Sequence, residues 1–125
     1  MALQLSVTAR NALLDAIETA AGTAAILKIY DLTAGAPADC AAAITGTILT
    51  TMTLDTDWMN AAGSGTKTKL GTWQDSSADN PGTADFFRLF ASDGTTCHIQ
   101  GTVTNTGGGE YRLFATFKVV QVIQF

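Results

Sequence analysis

Charge is what this sequence has least of. Charged side chains make up 14% of its 125 residues, against about 25% in typical soluble domains, and the shortage falls on the basic side. Seven Lys and Arg against eleven Asp and Glu leave a net charge of −4. Nucleic acid and anionic membranes are thereby disfavoured as partners, because both need clustered cations to displace counterions. Lys67 and Lys69 form a close basic pair, and their alternation reads as the solvent face of a strand rather than a phosphate site. No apolar run reaches the roughly 20 residues of a membrane-spanning helix, and the N-terminus lacks the basic start and long apolar core of a secretion signal. The chain is expected to stay in the cytoplasm of the cell that makes it.

Reactive side chains are scarce too. The single histidine, His98, has the parity opposite to Cys97 and Ile99, which aims it outward, and no nucleophile or carboxylate is placed beside it by sequence. The same alternation puts Cys97 inside, where a thiol is inert. Cys40 and Cys97 are too far apart for a short-spaced metal motif. Two readings of the pair stay open: free buried thiols, as a reducing cytosol favours, or a disulfide contributing about 4 kcal/mol by closing a long loop. Asp75, Asp79, Asp85 and Asp93 fall in or beside turns, without the spacing or terminal Glu of a calcium loop. The Gly107–Gly109 run lacks the helix and Lys-Ser/Thr of a phosphate cradle and reads as a hairpin. No catalytic residue, cofactor or metal is expected, and the chain reads as a non-enzyme.

What is abundant is Thr, Ala and Gly arranged in short alternating runs. From Thr83 to Phe125, Phe87, Leu89 and Ala91 share one parity, as do Cys97, Ile99 and Val103, then Tyr111, Leu113 and Ala115, with further apolar repeats to Phe125. A period of two is the mark of strands with one wall on a core. Upstream, Ala24–Tyr30 (Leu27 and Ile29 inward), Thr47–Leu54 (Ile48, Met52 and Leu54 inward) and Thr66–Gln74 (Leu70 and Trp73 inward) read the same way. Ser6 is a good N-cap for an amphipathic helix over Val7–Ala21, with Val7, Leu13, Leu14, Ile17 and Ala21 near one stripe and Gly22 as its stop. The helix closes one end of the sheets or docks on a neighbouring subunit. Trp58 anchors a flexible stretch around Ala61–Gly65. About seven strands and one helix predict a single domain over residues 1–125, mainly β, an antiparallel β-sandwich or jelly roll with one N-terminal α-helix.

One strand is apolar on both faces. Phe86 and Phe90 share a parity with Arg88, opposite to Phe87 and Leu89, so the strand is either central or covered on its second face by another chain. Phe86, Arg88 and Phe90 are therefore the candidate subunit interface. A sugar-binding platform would draw on Trp58, Trp73, Phe86 and Phe90.

The N-terminal ARNALLDAIE segment, the SSADNPGTADFFRLF turn and strand, and the CHIQGTV strand before a glycine run resemble a family of small virion proteins of tailed bacteriophages. The likeness extends over nearly the whole chain and is made of fold-determining positions, so no functional residue transfers with it. It implies a virion protein present in many copies, a capsid decoration or cement protein that stabilises the head shell, with a tail-associated protein or a carbohydrate-binding adhesion module as the alternatives. The implied partners are the major capsid protein or other virion proteins and further copies of the chain as a homo-oligomer, with no nucleic acid and no membrane. A low-charge, Thr-rich surface suits such permanent contact.

Overall fold

The computed structural model describes residues 3–32 and 34–103 in full and residues 116–118 as backbone. Helix α1 spans Val7–Ala21. Ser6 caps it in extended backbone, its hydroxyl accepting from the Ala9 amide at 3.1 Å, which satisfies one of the donors that a first turn leaves free. Gly22, at φ 79°, ends it, and its amide donates to the Glu18 carbonyl at 2.8 Å. The buried line of the helix is narrower than the apolar stripe in the sequence. Leu14 and Ala21 are buried, whereas Leu13, about 100° round from Leu14, is 49% exposed and Val7 in the first turn is 47% exposed.

The strands are β1 (Ile26–Asp31), β2 (Thr47–Thr53), β3 (Thr66–Thr68), β4 (Phe86–Phe90), β5 (Cys97–Thr102) and β6 (Thr116–Lys118). The chain is mainly antiparallel sheet with one N-terminal helix. Four strands form one sheet in the order β2-β1-β4-β5, and β3 pairs with β6 in a separate two-stranded ladder. The expected strand over Thr66–Gln74 is cut to three residues, with Gly71 at φ 73° just beyond. The strands expected over 111–115 and 117–125, and the glycine hairpin before them, lie outside the described residues apart from 116–118.

The inner face of the sheet carries Leu27, Ile29, Phe87 and Leu89, packed with Leu49, Leu54, Trp58, Met59 and Ala21 into one core. Trp58 is fully buried and donates its indole N–H to the Gly22 carbonyl at 2.9 Å, tying the end of α1 to the core. Gly101 faces Phe87 across β4 and β5, and a Cβ there would come within 2.8 Å of the ring, so the missing side chain makes room for the phenyl group.

Two β-bulges change the faces read from simple alternation. Between Ile29 and Tyr30 of β1, the partner strand steps from Thr50 to Ile48. The extra residue, Leu49, goes to the core, and Ile48 pairs with Tyr30 instead of pointing inward. Between Leu89 and Phe90 of β4, the partner steps from Ile99 to Cys97. His98 is the extra residue and is exposed, and Cys97 pairs with Phe90 on the outer face, against the inward position expected. One inserted residue inverts the parity of the rest of its strand.

The stretch Ala61–Gly65 is a tight turn, not a flexible loop. Gly63 and Thr66 exchange both backbone hydrogen bonds at 2.9 Å around Ser64 (φ 52°) and Gly65 (φ 72°), the left-handed pair of a two-residue hairpin. The segment Asp75–Gly82 lies along β2: the Asp79 amide donates to the Leu49 carbonyl, Asn80 to the Ile48 carbonyl, and the Thr51 amide to Asp75. The outer edge of β2 is thereby occupied, which blocks pairing with a foreign strand.

Candidate functional site

The outer face of β1, β4 and β5 carries the residues singled out as a subunit interface. Register places Tyr30 beside Phe86, Lys28 beside Arg88 and Ile26 beside Phe90, with Gln100 flanking Arg88 on β5. Phe86, Arg88 and Phe90 are 3%, 4% and 5% exposed. This corrects the interface reading: β4 is central, and its second face is covered by the chain itself. Among the described residues the cover is the connection between β1 and β2, which leaves Asp31, reaches Arg88 of β4 and Gln100 and Cys97 of β5, and returns to Thr47. Its Pro37 carbonyl accepts from Gln100 at 3.1 Å, and its Asp39 and Ala42 carbonyls accept from the Arg88 guanidinium at 3.0 and 2.8 Å. Cys40 at its apex is joined by a disulfide to Cys97, Cα to Cα 5.4 Å. The thiols are therefore paired, and the bridge is possible because the bulge at His98 turns Cys97 outward.

Arg88 is a buried cation whose partners among the described residues are neutral oxygens: the two carbonyls and, at 3.1 Å, the Gln100 side chain. An unpaired guanidinium is costly to bury, and here that cost is offset only while the cover stays in place. Beside it the Lys28 ammonium sits 5.0 Å from the centre of the Phe90 ring, a cation–π contact. Burial pushes the Tyr30 hydroxyl above its ordinary value, opposed by the nearby Arg88 charge.

A second cluster was missed in reading the sequence. Lys67, read there as solvent-facing, is 1% exposed, and its ammonium lies 2.7 Å from Asp15 and 2.8 Å from Glu18 of α1. Lys69 is exposed, as expected. Asp15 also accepts from the Ala62 amide at 2.9 Å, and Asn11 accepts from the Gly65 amide at 2.9 Å. One polar side of α1 is thus bolted to the β3 hairpin. The Lys67 hydrogen bond, then the Ala62 amide, hold the Asp15 carboxyl below the usual range. Desolvation presses the Lys67 ammonium down, but its two carboxylate partners outweigh burial and raise it. The signal in the sequence was the i, i+3 spacing of Asp15 and Glu18, which puts both on one helix side.

The remaining candidates take structural roles. His98 is exposed at the bulge. Asp75 and Asp79 bind the hydroxyls of Thr50 and Thr51, and Asp85 accepts from the Leu32 amide. Asp93 accepts from the Thr95 and Thr96 amides and the Thr96 hydroxyl, which lower its carboxyl to about 2. Among the described residues no group of three His, Cys, Asp or Glu side chains is placed to hold a metal ion, and no helix is long and apolar enough to cross a membrane. The sugar platform loses its rings: Trp58, Phe86 and Phe90 are buried, and Trp73 packs against the core with its ring 5.9 Å from that of Trp58.

Comparison of the chain with protein-family models, curated proteins and solved structures finds no match.

Proposed function

We propose that this chain is a non-enzymatic structural subunit of a bacteriophage virion, a decoration protein that binds and reinforces the head shell through the outward face of α1. The observation that carries the reading is the surface left over once the polar side of α1 is bolted to the β3 hairpin. Leu13, Ala12, Ala16 and Ala20 are exposed on the helix, with Leu3 and Val7 uncovered at its start. Small and apolar side chains allow a neighbouring backbone to approach closely, and their burial against a partner is favourable at about 25 cal/mol per Å². The low charge of the chain and the likeness of its ARNALLDAIE and SSADNPGTADFFRLF segments to phage virion proteins point the same way. The partner in this reading is the major capsid protein, met by many copies of the chain, self-associated as homo-oligomers.

The finer architecture belongs to the same proposal. Trp58, Met59 and Trp73, from the segments flanking β3, lie over the inner face of the four-stranded sheet, as the second layer of a sandwich or jelly roll would. The test is cryo-microscopy of particles assembled with and without the chain. Density for it on the head lattice supports the reading, density confined to a tail ring replaces it with the tail-associated alternative, and its absence from particles removes it.

A further inference from the structure

The connection between β1 and β2 is longer than its task requires. The two strands are antiparallel neighbours that a two-residue turn could join, yet residues 32–46 lie between them and cross β4 to reach β5. Connections of this length without secondary structure are uncommon in compact domains and are usually functional. Little of this one is buried: most of its described residues are exposed. Over the sheet it is held by three hydrogen bonds, from Gln100 and Arg88, and by the Cys40–Cys97 bond. Both cysteines are half-buried, and Cys97 is next to the exposed His98, so the bridge is not sealed in the core.

We propose that the Cys40–Cys97 disulfide is a redox latch: oxidation clamps the 34–46 strap over the outer face of β1, β4 and β5, and reduction releases it, uncovering Tyr30, Phe86, Arg88 and Phe90. Exchange with an external dithiol breaks the Sγ–Sγ bond. Two electrons and two protons pass to the Cys40 and Cys97 sulfurs, giving thiols, and the dithiol leaves as its cyclic disulfide; the latch closes by the reverse exchange, in which an external disulfide takes the two electrons and two protons and leaves as a dithiol. On reduction the strap retains only its hydrogen bonds through neutral carbonyls, each of modest net worth, against the conformational freedom that a strap of this length regains. Neither cysteine is among the described residues that form the inner core or pack against it, so the opening is local.

The test is hydroxyl-radical footprinting of the whole chain, oxidised, and again after reduction, capping with iodoacetamide and removal of the dithiol. Labelling at Tyr30, Phe86 and Phe90 is expected to rise about threefold or more on reduction, with Trp58 and Met59 still protected, as for local opening. The Cys40→Ser/Cys97→Ser variant should show the open pattern without any reagent. Unchanged labelling in the reduced protein or the variant would overturn the latch, because the strap would then be held without the bond. Labelling that rises equally at Trp58 and Met59 would also overturn it, because the bridge would then be a staple for the whole fold.

Discussion

Lys67 shows how one residue decides the value of its neighbours. Its ammonium is sealed from water, whereas Asp15 and Glu18 keep 47% and 23% of their side chains exposed. Removing the cation leaves two carboxylates that can hydrate; removing the carboxylates strands a buried charge. The Asp15→Asn/Glu18→Gln variant is therefore expected to lower the thermal midpoint more than Lys67→Met, as read by circular dichroism. The pH dependence is set by the directions of the shifts. Asp15 is depressed below 3.8, so its contribution is complete above that value and is lost as pH falls through the folded value; Lys67 is raised above 10.5, so its contribution is lost only on the alkaline side. Acid unfolding of Lys67→Met should accordingly show a shallower limb below about pH 4 than wild type. Asp93 offers an independent check: its carboxyl should titrate near 2 by carbon-13 NMR, and Thr96→Val, which deletes its first hydrogen-bond donor, should move it upward.

Among the elements, α1 was legible to its caps, because Ser6 and Gly22 act through local backbone chemistry that needs no tertiary partner. The inner faces of β1 and β4 were legible for a similar reason, since neither strand carries the extra residue of a bulge: the added residues fall on β2 and β5. Legibility failed at the two bulges. Leu49 and His98 are ordinary strand residues in sequence, and only pairing with a neighbour reveals that each is one too many. With His98 uncounted, Cys97 pointed at the core and the disulfide stayed one of two options. The interface reading failed for a related reason: Phe86, Arg88 and Phe90 did call for a cover, but a loop rich in Ala carries no signal that it will cross the sheet to supply one. The packing of the sheet can be tested at Gly101. Gly101→Ala drives a methyl into the Phe87 ring and should cost about 1–3 kcal/mol in denaturant unfolding, as overpacking does. Trp58→Ala should cost about 3–5 kcal/mol by opening a core cavity.

As a whole molecule, the chain is braced on three sides: α1 is bolted to the β3 hairpin, the Asp75–Gly82 segment occupies the edge of β2, and the disulfide-held strap seals the outer sheet face. Among the described residues, the alanine face of α1 with Leu3, Val7 and Leu13 is still uncovered. An apolar outlet of this kind suits a chain that is built into something larger, which is why the functional reading rests on that helix and not on the sheet. The most direct measurement is the occupancy of a Leu13→Asp variant on purified head shells, scored by co-sedimentation beside the wild-type chain. The substitution lies on an exposed helix position and should leave the thermal midpoint within a few degrees of wild type. A decoration protein docked through α1 predicts a folded variant that no longer sediments with the shells; full occupancy by the folded variant would contradict it.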